Sequence, residues 1–177
     1  MINNYHHNLL LPVEFVPIGR KRDYIEKNQI NKEFIEWLNS IGLSVSDKKL
    51  NRYFECEPNK RLNIHADSLS PDIPRTKLNI MYEHHTVDVI FYKLKLLINH
   101  SRFIKKTIRI YPEKLCTEVY RTSSPLPCLF NSSEIHTAIN GNNKGKLWKC
   151  YSLTLVNLNG ELATFHEAYE KLKDYII

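Results

Sequence analysis

Between residues 47 and 158 the chain is a succession of short segments rich in β-branched and aromatic residues, and this pattern constrains the fold more than any other. Segments of this composition and length are typical of β-strands. Clusters of Pro, Asn, Ser and Gly separate them, most clearly at 70–74 and 140–145, and such clusters favour turns. The predicted strands are 50–56, 62–66, 77–82, 87–94, 106–111, 117–121, 128–130, 135–139 and 147–156.

A helix is predicted on each side of these strands. The first follows Asn31, a residue type that favours N-caps, and ends at Gly42. Its apolar residues recur at helical spacing and should pack on the outside of a sheet: Phe34, Ile35, Leu38 and Ile41. The second spans 164–175, where Thr164 and Glu167 have the spacing of a capping box, with Phe165, Tyr169 and Leu172 on one face. Segment 94–105 fits either a strand or a helical insert.

Many short strands between two flanking helices predict a mainly-β fold, the double-stranded β-helix or jelly-roll. We expect one domain over 1–177, with a helical N-terminal part at about 1–46, the barrel at about 47–158 and a C-terminal helix at about 163–176. A chain of 177 residues with 42% hydrophobic content can bury the core that such a domain needs.

The composition also argues against several classes of protein. No apolar stretch approaches the ~20 residues that span a bilayer, and the N-terminus lacks the basic-then-apolar order of a signal peptide. The four cysteines have no Cys-x-x-Cys spacing, which argues against a zinc finger or a thioredoxin-like pair. We therefore expect a soluble, cytoplasmic protein without a membrane partner, whose cysteines are reduced packing residues.

One pair of residues, His65 and Asp67, has the spacing of a metal site. Side chains two apart on a strand point to the same face, so both can face inward while Ala66 points away. His136, on a later predicted strand, can supply a third ligand. Two imidazoles and one carboxylate form the protein half of a mononuclear non-haem iron(II) site. Of the other histidines, we expect His84 and His85 at a surface or strand end and assign no role to His6, His7, His100 and His166.

Three stretches of the chain carry a resemblance to a known family: 52–58 leading into 64–67, then 77–80, and then 127–131 through His136 and Asn140 to 148–155. In this order they resemble the small cupin-like iron(II)- and 2-oxoglutarate-dependent oxygenases common in phages and marine bacteria. The resemblance covers about two thirds of the chain. It implies that His65, Asp67 and His136 bind Fe(II), that 2-oxoglutarate chelates the metal, and that a C–H bond of a small molecule or side chain is hydroxylated.

The resemblance also implies a cation that pairs with the distal carboxylate of 2-oxoglutarate. The family usually has an Arg, sometimes a Lys, on the strand after the distal histidine, whereas no Arg follows His136 here. Lys146 and Lys149 are the candidates on that side, and Arg75 is a third. We expect Asn79 and Lys77 to line the pocket near the metal pair. Tyr53 and Trp148 are further candidates for the pocket wall.

Two other functions are compatible with the sequence. One is a cupin-type metalloenzyme that binds its substrate directly to the metal without 2-oxoglutarate. The other is a module that binds nucleic acid or a protein through a basic stretch, given the net charge of +6. Its positive residues are Lys93, Lys95, Arg102, Lys105, Lys106, Arg109 and Lys114, with Tyr92, Phe103 and Tyr111 between them. We do not favour nucleic acid, because Lys, Asn and Ile are abundant throughout the chain and a charge run is usually a solvated face.

Overall fold

The computed structural model describes residues 3–18, 24–68, 70, 72–82, 86–96, 103–105, 108–141 and 145–177. Within these ranges the chain is mainly β, as predicted. Its strands are β1 His6–Asn8, β2 Leu43–Val45, β3 Arg52–Cys56, β4 His65–Ala66, β5 Thr76–Met81, β6 Asp88–Leu94, β7 Ile104–Lys105, β8 Ile108–Ile110, β9 Cys116–Ser123, β10 Cys128–Asn131, β11 Ile135–Ile139 and β12 Trp148–Asn157.

The strands form two six-stranded antiparallel sheets. The first has the order β1-β10-β5-β12-β2, with β3 also paired to β12, and the second has the order β7-β8-β4-β11-β6-β9. From β3 to β6, and again from β9 to β12, successive strands alternate between the two sheets. The strands from β6 to β9 all belong to the second sheet. This path brings β4 and β11 side by side, although they are far apart in sequence, and His65 lies directly opposite His136.

Two helices, α1 Lys32–Ser40 and α2 Phe165–Leu172, flank the strands in sequence. The capping box of α2 is confirmed: the Glu167 N–H donates to Thr164 Oγ1 at 3.2 Å, and the Thr164 N–H donates to Glu167 Oε2 at 2.8 Å. Asn31 occupies the N-cap of α1, but its side chain does not cap the helix. Its Oδ1 instead accepts from the Val16 N–H at 2.8 Å, which ties the preceding segment to the helix. Neither helix has the length and apolar character needed to cross a bilayer.

The apolar core is divided by the alternation of side chains along the strands. The outer face of the first sheet packs against α1 and α2, where Phe34, Leu38, Leu153 and Leu172 are all fully buried. A second cluster lies between the sheets, and a third covers the other face of the second sheet. All four cysteines are free and buried, which confirms their expected packing role.

Two strands occur in the N-terminal part that was predicted to be helical, so that prediction was incomplete. β1 pairs with β10 and β2 pairs with β12, and both are too short to show a clear periodicity in sequence. Conversely, only His65–Ala66 of the strand predicted at 62–66 forms a strand, β4. Of segment 94–105, residues 97–102 lie outside the described residues, and β7 follows them.

Candidate metal centre

His65, Asp67 and His136 converge on one point between the two sheets. Their ligand atoms all lie within 4.8 Å of one another. The ring centroids of His65 and His136 are 4.4 Å apart, and His65 Nε2 is 3.4 Å from Asp67 Oδ1. Ala66 is fully buried in the cluster on the opposite face of the sheet. The structure therefore confirms the predicted alternation, in which His65 and Asp67 face one way and Ala66 faces the other.

Both imidazoles are held by the same local contact. Nδ1 of His65 lies 2.7 Å from the Asn63 carbonyl oxygen, and Nδ1 of His136 lies 2.9 Å from the Glu134 carbonyl oxygen. A carbonyl can only accept, so each Nδ1 carries a proton and each Nε2 faces the centre. Burial lowers the pKa of His65, but the hydrogen bond that its Nε2 donates to Asp67 outweighs this effect and raises the pKa. A bound metal would take the place of that Nε2 proton. Metal-binding histidines are oriented in this way in proteins. Two neutral imidazoles and a carboxylate are a donor set that fits a divalent transition metal such as iron(II).

The charges around the centre favour an ionised carboxylate. Burial by itself would raise the pKa of Asp67, but the hydrogen bond from His65 and the positive charge of Lys77 outweigh it and hold that pKa well below its usual range. Burial and the neighbouring His65 lower the pKa of His136 to about 3. At neutral pH, Asp67 is therefore negative and His136 is neutral, as metal binding requires.

The three groups open into a cavity of about 40 Å³ between the sheets. Its walls are Phe54, Leu62, Met81, Val89, Phe130, Ala138, Trp148 and Cys150, and its other polar residues are Asn79 and Ser152. The Phe130 ring stands edge-on to His136 with centroids 4.8 Å apart. Asn79 Oδ1 is buried without a hydrogen-bond partner among the described residues. The interior is thus an apolar chamber with few polar groups.

The loop after β4, which carries Asp67, and the loop before β11 are joined by hydrogen bonds behind the centre. The Asp67 N–H donates to the Ser132 carbonyl at 2.8 Å. Arg109, which is 1% exposed, donates from Nε to the Ser68 carbonyl at 2.8 Å and from Nη2 to the Ser133 carbonyl at 3.4 Å. The prediction that Arg109 belongs to a basic stretch on a solvated face is therefore wrong. Its guanidinium is buried and links the loop after β4 to the loop before β11.

The cations proposed for the co-substrate lie in different environments. Lys146 is exposed, and Lys149 Nζ lies 5.4 Å from the centroid of the Tyr82 ring. Neither residue lines the cavity. Lys149 alternates with Trp148 and Cys150 along β12, so it faces the opposite side of the sheet. The structure therefore does not bring Lys146 or Lys149 to the metal centre.

Lys77 is buried close to the centre, but unlike Asn79 it is not among the residues that line the cavity, so the expectation is confirmed for Asn79 only. It is 2% exposed and occupies the same face of β5 as Asn79, and its Nζ donates to the Leu50 carbonyl and to Thr154 Oγ1, both at 2.8 Å. Burial lowers its pKa to about 8, against the opposing effect of Asp67. Arg75 precedes β5, where its backbone carbonyl accepts from the Ser132 N–H at 3.0 Å.

Of the two aromatic candidates, Trp148 lines the cavity as expected, with Nε1 at 3.4 Å from Met81 Sδ. Tyr53 does not, because its ring packs on Tyr151 at 4.9 Å on the outer face of the first sheet. The sequence analysis chose Tyr53 and missed Phe54. Neighbours on a strand face opposite sides, so Phe54 was the alternative to Tyr53 as a residue of the pocket wall. His84, His85, His100, Arg102 and Lys106 lie outside the described residues, as does the side chain of Lys105.

No protein-family model matches this chain, and no curated protein matches it.

Proposed function

We propose that this protein is an iron(II)- and 2-oxoglutarate-dependent oxygenase that hydroxylates its substrate. The observation that carries the proposal is the convergence of His65, Asp67 and His136 within 4.8 Å beside an apolar cavity. When bound, iron(II) and 2-oxoglutarate would supply the chemistry by which dioxygen, the oxidant, hydroxylates a C–H bond while 2-oxoglutarate is decarboxylated to succinate. The protein holds the metal through three side chains, which leaves coordination positions for other ligands.

The strand order supports the finer fold prediction as well. The pairs β3 with β12, β12 with β5 and β5 with β10 form one four-stranded layer, and β4 with β11, β11 with β6 and β6 with β9 form the other. A jelly-roll has eight strands in two such antiparallel layers. The ligands then belong to neighbouring strands of one layer and face the other layer, which contributes most of the remaining cavity wall.

Lys77 is the residue that we assign to the distal carboxylate of 2-oxoglutarate. Its positive charge acts on Asp67, His65 and His136, so it lies close to the centre. An ammonium has three donors, and its contacts with Leu50 and Thr154 use two of them. A carboxylate in this apolar interior would gain a strong charge-assisted hydrogen bond from the third.

The remaining wall residues orient the substrate and exclude water. Trp148, Phe130 and Met81 surround the space beside the ligands with apolar surface. Water-free surroundings strengthen the electrostatic interactions in the site and protect a reactive centre from side reactions. Asn79 Oδ1 has no hydrogen-bond partner among the described residues, so it can accept a hydrogen bond from a polar group of either ligand.

The size of the cavity favours a second candidate, a cupin-type metalloenzyme that acts without 2-oxoglutarate. A volume of about 40 Å³ has room for only a few water molecules. A dicarboxylate chain would therefore need to extend towards Lys77 or displace Trp148. A small substrate bound directly to the metal would fit without such a movement.

Anaerobic spectroscopy separates these two candidates. The protein is mixed with iron(II) and 2-oxoglutarate without oxygen, and the visible metal-to-ligand charge-transfer band is recorded. We expect the band in the wild type and in Lys149→Met, and its loss at the same 2-oxoglutarate concentration in Lys77→Met. Iron binding without a band would overturn the first candidate in favour of the second. Absence of iron binding would overturn both.

A further inference from the structure

Three cationic side chains lie close enough to interact near the metal centre, although none of them lines the cavity. Arg52 on β3 pairs with Ser152 on β12, and Ser152 pairs with Asn79 on β5. Directly paired residues share a face of the sheet, so Arg52 is on the inner face that also carries Asn79. Lys77 is two residues before Asn79 and shares that face. Arg75 directly precedes β5, two residues before Lys77, and its charge acts on Lys77 and on Asp67.

These charges are not balanced within the described part of the chain. Asp67 is the carboxylate that acts on Arg75 and Lys77, and its negative charge is also needed by the metal. No described carboxylate lies within ion-pair distance of Arg52 or Arg75. Arg75 Nε is buried and has no hydrogen-bond partner among the described residues. The Arg52 guanidinium lies 4.7 Å from the centroid of the Tyr24 ring.

Such a group of like charges is costly unless an anion binds to it. Buried donors without partners and neighbouring positive charges both destabilise the folded chain. A guanidinium matches carboxylate and phosphate geometry with two parallel hydrogen bonds. An anion beside Arg52 and Arg75 would satisfy the orphaned Nε and relieve the repulsion between the two side chains.

We propose that Arg52 and Arg75 form a second anion site, which binds a carboxylate or phosphate group of the substrate beside the metal centre. Lys77 is more deeply buried and already donates to Leu50 and Thr154. We assign it to 2-oxoglutarate and not to this second site. The assignment of this anion to the substrate rests on the proposed oxygenase function, whereas anion binding by the two arginines does not. The substrate class is thus a small anionic molecule.

Titration of the metal-free protein with inorganic phosphate, and separately with acetate, tests the site and distinguishes the two anions. We expect the wild type to bind at least one of them. Arg52→Gln and Arg75→Gln should each weaken that binding about tenfold or more, as loss of a charged hydrogen bond predicts. The affinity of Arg75→Lys for the anion should lie between those of the wild type and Arg75→Gln, because lysine keeps the positive charge but cannot form two parallel hydrogen bonds as a guanidinium does. Lys32→Gln, which removes an equal charge from an exposed position, should bind as the wild type does.

The anaerobic charge-transfer band distinguishes the failure of this proposal from the failure of the oxygenase function. Arg52→Gln should keep the band that Lys77→Met loses. If both variants lose it equally, the arginines serve the co-substrate and the second site is overturned. If neither anion binds, or if binding is equal in all the variants, the site is also overturned. If the wild type gives no band but binds an anion through Arg52 and Arg75, the anion site stands and only the oxygenase function fails.

Discussion

The two faces of the first sheet are built from the same strands and differ in how many buried polar side chains they carry. On β5 and β12, the outer face carries Leu78, Leu153 and Leu155, all fully buried under the helices. The inner face of the same strands carries the polar residues Lys77, Asn79, Ser152 and Thr154 beside the apolar Met81, Trp148 and Cys150. One face contributes stability through apolar burial, and the other retains buried polar groups that cost free energy. Under the proposed function, the polar groups of the inner face serve binding.

The largest effect should come from a metal ligand on the inner side. We expect His136→Gln to lower the affinity for iron(II) by more than ~100-fold, since loss of a group that merely supports a ligand already costs about 10–100-fold. Titration with iron(II) under anaerobic conditions measures this. His166→Gln, at an exposed position on α2, is the control and should bind iron(II) normally. Equal affinity in both variants would refute the metal centre.

On the outer face, a large effect on stability should leave the metal site intact. Leu153→Ala removes a fully buried side chain from the core and should lower the free energy of unfolding by about 2–5 kcal/mol. Urea denaturation measures this change, and iron(II) affinity should stay at the wild-type value. The adjacent Ser152→Ala, on the cavity side, should cost less stability. If Leu153→Ala also abolished iron binding, the two faces would not be independent.

Lys77, on the inner face, should make the stability of the protein depend on pH above about 8. Its pKa falls from 10.5 in the unfolded chain to about 8 in the folded protein, chiefly through burial. Between these values the unfolded chain binds more protons, so stability rises with pH across this window. The penalty for the buried charge is fully present below the lower value. Each unit of difference corresponds to ~1.4 kcal/mol.

Urea denaturation of the metal-free protein across this range checks the sign. The stability of the wild type should increase relative to that of Lys77→Met as the pH rises from about 8 to 10.5. The comparison with the variant removes the contributions of other titrating groups. Parallel pH profiles for the two proteins would show that the ammonium is not desolvated as the structure indicates.

The smallest effect should come from the helix that covers the outer face. Thr164→Ala removes the side-chain oxygen that accepts from the Glu167 N–H, and it should lower the free energy of unfolding by about 0.5–2 kcal/mol. Thermal denaturation measures this, with Thr117→Ala at an exposed position on β9 as a control. An effect on iron binding would contradict the separation of the two faces.

Local patterns in the sequence were sufficient for most elements of the fold. Strand β11 has the predicted bounds and β12 differs by one residue at each end, because β-branched and aromatic composition, with turn residues at the ends, is a local signal. The capping box at Thr164 was also predicted, since its contacts lie within one turn. β1 and β2 were missed because they are strands only through their partners β10 and β12.

For the site, the sequence by itself determined the residue types of the candidate metal ligands, through the His65 and Asp67 spacing and a distant histidine. Only the tertiary structure decided which cations face the centre. Lys149 and Lys77 are equivalent as residue types, but strand alternation and pairing turn Lys149 outward and Lys77 inward. The roles of Arg109 and Arg52 likewise depend on contacts between segments far apart in sequence. Such contacts are set by register and by the packing of two sheets, which no local pattern encodes.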